Sequence, residues 1–331
     1  MTTKVILDCD TGTDDAVAIM LAALHPDLEL LAVTTVNGNV EVQYCTDNTL
    51  RTLDHIGRGD IPVHEGLSKP LVRLDFPVPR AAAVNPNSSI HGRELPLPPA
   101  TSRKHPTSAV EYLLETFRST TEQITLVPVG PLSNIAAAIA IDPSIVEKVG
   151  EVVIMGGGNI KGNATPSAEF NIWADPEAAA AVFAAGFRAI TLVPLDATHQ
   201  ALVSREQCRA LAALGTPAGE AAAALIDRRI TGYDASQPMA VAESAPVHDA
   251  LCVAYLVRRD VLDVRRLHVD VETSGPLTVG RTVIDAYFRG GKAPNCDVAL
   301  GAHADVFVDI MMETFGRLPG AARGEGHTSL T

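Results

Sequence analysis

Short runs of β-branched and apolar residues alternate along the chain with Ala- and Leu-rich stretches whose apolar positions recur at helical spacing. That alternation predicts an α/β protein built on a largely parallel sheet. Strands are expected at 4–9 (KVILDC), 29–35, 124–129 (ITLVPV), 151–155 and 189–195. Helices are expected near 14–24, 41–56, 107–118, 131–140, 175–185, 203–213, 217–231, 247–258 and 302–315. The strands are apolar almost throughout, as burial on both faces requires. Residues 267–299 break the rhythm: VDVETSGPLTVG followed by RTVIDAYF reads as a late, hairpin-like β region. Two polar stretches, 66–104 and 156–174, are too long for ordinary connections, and loops of that length are usually functional or disordered. No composition break divides the chain. Residues 1–318 are therefore read as one domain, and the Gly-rich, polar 319–331 as a flexible tail.

Composition narrows the classes. The 331 residues are 47% hydrophobic and 20% charged, which excludes disorder for most of the chain. The net charge is −13, and aromatics make up 4%. Nucleic acid would need a local basic patch and stacking platforms, so no nucleic-acid partner is expected. No apolar run approaches the roughly 20 residues of a membrane span, and acids appear at once after the start, against a signal peptide. Five cysteines (Cys9, Cys45, Cys208, Cys252, Cys296) are scattered without a CxxC pair, which suits a reducing cytoplasm.

The densest chemistry lies at 8–15, where Asp8, Asp10, Asp14 and Asp15 crowd the end of the first strand and the start of a helix. In open α/β sheets the carboxyl ends of strands carry the ligand site. Acids at a helix N-terminus satisfy the macrodipole, which accounts for Asp14 and Asp15 but not for Asp8 and Asp10. Two carboxylates about 4 Å apart repel by on the order of 4 kcal/mol at an effective dielectric of 20. Either some are protonated or a cation sits among them. Oxygen donors without paired His or Cys favour Ca2+ or Mg2+ over zinc. A DxDxT string also suggests a haloacid-dehalogenase-type phosphatase with Asp8 as nucleophile. That chemistry needs a later acidic pair, and Asp14-Asp15 is the one Asp-Asp pair in the chain.

Further polar groups follow strand ends. TTVNGNV supplies Asn37 and Asn39, and ITLVPVGPLSNIA places Val129 at a turn where its carbonyl could be a ligand. MGGGNIKGNATPSAEFNI offers Asn163, Glu169 and Asn171, and APVHDALCVAYL puts His248 and Asp249 at a helix start. Taken singly, each has an ordinary structural reading as a turn, loop, helix-start or core residue. Asp196 and His199 in LVPLDATHQ gain no role and read as local structure. Cys9 alternates into the strand's buried face.

Taken together, DCDTGTDDA, TTVNGNV, ITLVPVGPLSNIA, VVIMGGGNIKGNATPSAEFNI and VHDALCVAY resemble the nucleoside hydrolase family, Ca2+-dependent enzymes that cut the N-glycosidic bond of ribonucleosides. The likeness runs from Val5 to about Phe315. It implies an open, mostly parallel, Rossmann-like sheet with flanking helices and the site at the strand carboxyl ends. It implies one Ca2+ per subunit held by Asp10, Asp15, the Val129 carbonyl and Asp249. Asp14, Asn39, Asn163, Glu169 and Asn171 match positions that hold ribose, and Met155 matches a residue beneath the sugar. Asp10 is implied as general base and His248 as leaving-group acid. His91 matches a mobile-loop histidine near the base, although HGRELPL departs from the expected HGxxG pattern. The family further implies nucleoside salvage on uridine or inosine and a homodimer or homotetramer. A modified nucleoside is the alternative substrate. Tyr233, Gln237 and Arg228 are candidates for contacts to the base.

Overall fold

The computed structural model describes residues 2–78 and 90–317. The tail expected at 319–331 lies outside the described residues. An eight-stranded sheet runs in the order β3-β2-β1-β4-β5-β6-β12-β9. Its members are β1 (Thr3–Cys9), β2 (Leu28–Thr35), β3 (Val63–Glu65), β4 (Ile124–Pro128), β5 (Val149–Met155), β6 (Ile190–Val193), β9 (Leu262–Leu267) and β12 (Cys296–Ala302). Every neighbouring pair is parallel except β12 with β9. Two small antiparallel pairs stand apart: β7 (Leu202–Ser204) with β8 (Ser244–Pro246), and β10 (Val269–Val271) with β11 (Thr282–Ile284).

Strand alternation sorts the core onto two faces. Val5, Leu7 and Cys9 of β1 and Val153 and Met155 of β5 enter one cluster, while Ile6, Val152 and Ile154 enter the other. This two-sided burial is why the strands read as unbroken apolar runs. On the first face lies α1 (Thr13–Leu24), whose residues Thr13 to Ala23 are all buried. A helix apolar all round must be enclosed. The helices α9 (Pro217–Ser236) and α10 (His248–Val257) pack against it.

The remaining helices are α2 (Val42–His55), α3 (Ala109–Ser119), α4 (Ser133–Ile141), α5 (Phe170–Ala174), α6 (Pro176–Ala184), α7 (Leu195–Thr198), α8 (Arg205–Ala212) and α11 (Ala304–Phe315). The sequence pattern missed β3, β7 and β8, each three residues long and too short to show alternation, and also β9 and β12. It also ended α9 at 231, one turn early. The late β region does contain a hairpin, β10–β11, but β9 and β12 flank it and belong to the main sheet. Nor are the long polar stretches unanchored where they are described. Leu67 N–H donates to Asn134 at 2.9 Å, Leu71 N–H to Asp175 at 2.6 Å, and Leu95 N–H to Asn48 at 2.9 Å.

β1 leads to β2 on one side and pairs with β4 on the other, so the strand order reverses at β1. The crevice beyond the carboxyl ends at such a reversal is where open α/β sheets bind ligands.

Candidate active site

A cavity of about 1000 Å³ opens at that reversal, and Asp10 and Asp14 of the first motif form its floor. Asp10 leaves the end of β1, where its Oδ2 accepts the Asn39 N–H at 2.6 Å. The Asn39 amide nitrogen reaches the Asp10 carbonyl at 3.2 Å and Asp15 Oδ2 at 3.3 Å. Gly12 N–H donates to the same Asp15 oxygen at 2.9 Å as α1 begins. Glycine is required at position 38, because a Cβ there would overlap the Asp10 carboxylate.

Asp14, Asp15 and Asp249 each offer a carboxylate oxygen within 4.8 Å of the others, and all three are buried. Burial, reinforced by the neighbouring acids, pushes Asp15 up to about 7 and raises Asp10 and Asp249 well above the carboxylate range. Asp15 Oδ1 is buried with no hydrogen-bond partner. An unmatched carboxylate oxygen among further carboxylates fits a hard cation, and the oxygen-only donor set agrees. Asp10 is outside that trio but shares its field.

The opposite wall carries the AEFN loop. Asn171 Nδ2 donates to the Val129 carbonyl at 2.8 Å and lies 3.3 Å from the Met155 carbonyl and 3.4 Å from its sulfur. Glu169 accepts from Asn171 N–H at 2.9 Å, Gly157 N–H at 2.8 Å and Ile172 N–H at 3.3 Å, so it caps α5 while bounding the cavity. Burial nonetheless lifts it to about 7. Asn163 Oδ1 accepts the Phe170 N–H at 2.9 Å, which ties the loop back on itself.

The third wall is a chain of hydroxyls and imidazole. His248 Nε2 lies 2.7 Å from Tyr233 Oη, and its Nδ1 lies 2.7 Å from Thr198 Oγ1. Burial and the Arg229 charge drive its pKa well below the ordinary range, so the ring is neutral at pH 7. His91 sits over Gly12 with Nδ1 3.9 Å from Asp14 Oδ1. Burial lowers it to about 4, so it is neutral as well.

All the expected site residues line this cavity except Asp15, which is fully buried and bonded to Gly12 and Asn39. Tyr233 and Gln237 line it too, whereas Arg228 stands beside Gly92. It is Arg229 that reaches the floor, donating to Asp14 Oδ1 at 2.6 Å, Thr13 Oγ1 at 3.0 Å and the Pro246 carbonyl at 3.0 Å. The missed signal was a charge at position 229 on a helix face with Leu225, Ile226 and Ile230. Thr198 was missed as well.

Asp8 is no nucleophile. Its side chain is fully buried on the far face of β1, with Oδ1 accepting from Thr34 at 2.5 Å and Asn134 at 2.8 Å, and it does not line the cavity. The phosphatase alternative falls with it. Asp196 instead anchors a loop through the backbone of Asn159 and Ile160.

A sequence profile described as "Inosine-uridine preferring nucleoside hydrolase" matches residues 5–309. The chain belongs to the nucleoside hydrolases. It is 39% identical over 314 residues to the "Pyrimidine-specific ribonucleoside hydrolase RihA" of Shewanella baltica, covering 95% of this chain and 96% of that one. It is 36% identical over 310 residues to the corresponding RihB of Escherichia coli O157:H7, covering 94% and 96%. Among solved structures, the "Purine-Preferring Ribonucleoside Hydrolase from Gardnerella vaginalis" superposes with a TM-score of 0.85 at 30% identity, covering 95% of this chain and 98% of that one. This nucleoside hydrolase is thus an N-glycosyl hydrolase by family, with its acids placed at the carboxyl end of a mostly parallel sheet. Among the described residues, no helix is long and apolar enough to cross a membrane.

Proposed function

We propose that this nucleoside hydrolase cleaves the C1′–N bond of pyrimidine ribonucleosides, uridine first among them, to free base and ribose in nucleoside salvage. The observation that carries the reading is one cavity lined by Asp10, Asp14 and Asp249, with Asp15 buried beside them and one of its oxygens unmatched, and a neutral His248–Tyr233 pair on its wall. Asp10, Asp15, the Val129 carbonyl and Asp249 would hold a Ca2+ ion. When bound, the ion supplies an acidified water and an anchor for sugar hydroxyls.

Breaking the bond builds positive charge on the sugar, as in other glycoside cleavages. Asp10, fixed by the Asn39 N–H, accepts the proton of the attacking water as general base. Asp14 and Asn39 receive the ribose hydroxyls near the floor. Asn163, Glu169 and Asn171 hold the 5′ end, and Met155 lies beneath the ring. The departing base takes a proton from the His248–Tyr233 pair. Burial holds the Tyr233 hydroxyl up at about 12, so it keeps its proton at neutral pH and can resupply the imidazole. His91 and Gln237 face the base. The pyrimidine reading is supported by the RihA and RihB relatives, which are named pyrimidine-specific and are 39% and 36% identical to this chain, against 30% for the purine-preferring structure. Five buried free cysteines suit a reducing cytoplasm. Assembly as a homodimer or homotetramer rests on family resemblance.

Incubating the protein with uridine, cytidine, inosine, adenosine and 2′-deoxyuridine tests the reading. Uracil and ribose from uridine are expected fastest, with 2′-deoxyuridine at least about 10²-fold slower, since a missing hydroxyl leaves buried partners unmatched. Exhaustive chelation should abolish turnover and Ca2+ should restore it. Base release that survives chelation removes the metal from the mechanism. No release from any ribonucleoside removes the activity.

A further inference from the structure

Arg229 bounds the cleft, and the chemistry proposed above gives it no role. Its side chain is 1% exposed, and α9 delivers it to the acid floor from the helical face that also carries Tyr233. Three contacts fix the guanidinium: Nε on the Pro246 carbonyl, Nη1 on Thr13 Oγ1, and Nη1 on Asp14 Oδ1. The Tyr233 ring lies 5.5 Å from its central carbon. A buried cation needs a partner, and a scaffold acid would serve. Here the partner is a carboxylate that bounds the cleft and belongs to the trio with Asp15 and Asp249.

The geometry points to Arg229 as a positioning residue for sugar recognition. By holding Asp14 Oδ1 it keeps Oδ2 for the ribose hydroxyls, and it keeps this carboxylate out of the cation's coordination. The two flanking contacts matter to that role. The Pro246 carbonyl and Thr13 hydroxyl set the plane of the guanidinium, so the Asp14 carboxylate is held in one rotation about its axis. A lysine could supply the charge but not the planar fork. Arg229 thereby splits four neighbouring acids into two tasks, with Asp10, Asp15 and Asp249 left to the metal and Asp14 to the sugar.

The inference rests on the ribonucleoside reading above. Its test compares the wild-type chain with Arg229→Met and Arg229→Lys for kcat/KM on uridine and on 2′-deoxyuridine. Calcium affinity of the chelator-stripped proteins is measured alongside by titration calorimetry. The preference for the ribonucleoside should shrink at least tenfold in R229M, mainly through a higher KM for uridine, and at least threefold in R229K. Calcium should bind R229M as tightly as wild type or more tightly, because a nearby positive charge is gone. R229K keeps the buried charge and decides the matter where R229M does not fold. A preference unchanged within twofold in a folded variant overturns the inference, and so does calcium binding weakened tenfold or more. Wild-type activity separates the two failures: a wild-type chain that frees no base sinks the ribonucleoside reading and this inference with it, whereas an active one with unmoved preference sinks this inference alone.

Discussion

Replacing Glu169 by Gln isolates the cost of keeping one buried carboxylate charged. The side chain is 2% exposed, and burial lifts its pKa from 4.5 to about 7 although several backbone N–H groups favour the charged form. Between those pH values the folded chain keeps a proton that the unfolded chain has released. The stability this adds is complete below about pH 4.5 and is lost as pH rises through 7. Two and a half pH units at about 1.4 kcal/mol each amount to about 3 kcal/mol. Glutamine does not titrate, so it removes that dependence. Its amide has one acceptor oxygen where the carboxylate has two. Either Asn171 N–H, or Gly157 and Ile172 N–H together, must then face an NH2 group, at a cost of about 1–3 kcal/mol. E169Q should therefore be less stable than wild type by about 1–3 kcal/mol at pH 4.5 and, with the charge penalty relieved, more stable by about 0–2 kcal/mol at pH 8. Urea unfolding of both proteins at pH 4.5, 6 and 8, with the same calcium concentration throughout, measures the difference. Because the other acids titrate in both proteins, they largely cancel. A gap that stays constant within about 1 kcal/mol across the range would refute the reasoning from burial.

Other changes probe the chemistry more directly. Asp10→Ala should lower kcat for uridine at least about 10²-fold in steady-state assays, and a smaller loss places the base elsewhere. His248→Ala and Tyr233→Phe should each slow uridine cleavage by about 10-fold or more while sparing a nitrophenyl riboside, whose leaving group needs no proton; equal losses on both substrates would argue against proton donation. Gly38→Ala pushes a methyl group into the Asp10 carboxylate, and a loss of about 10²-fold in kcat with a native circular-dichroism spectrum is the expected result.

Much of this site was legible because its chemistry is concentrated in short contiguous motifs. Asp10, Asp14 and Asp15 fall within one strand-to-helix turn, and His248 with Asp249 opens a helix, so the pattern placed them at element ends and the family resemblance supplied their roles. What stayed hidden depends on contacts distant in sequence. Arg228 and Arg229 are adjacent, and only the packing of α9 on α1 decides that the second one reaches Asp14. The neutrality of His248 comes from its burial and from the charge of Arg229, 19 positions away. The β3 strand has three residues and no period to read. The β12 strand pairs parallel to β6 on one side and antiparallel to β9 on the other, a mixed role that its alternation does not announce. Asp8 misled for a related reason, since it lies within β1 and is held by Thr34 and Asn134, while Asp10 follows the last residue of the strand and turns into the cavity.

The two margins of the main sheet differ from its interior in a way that bears on how copies could associate. One margin is β3, three residues long, and the other is β9, whose central residues Asp263, Val264, Arg265 and Arg266 are all exposed. A stub and a charged rim both discourage a second chain from adding a strand. Self-association would then run through helices and loops, leaving the crevice at the centre of each sheet independent of any ribbon continued between subunits.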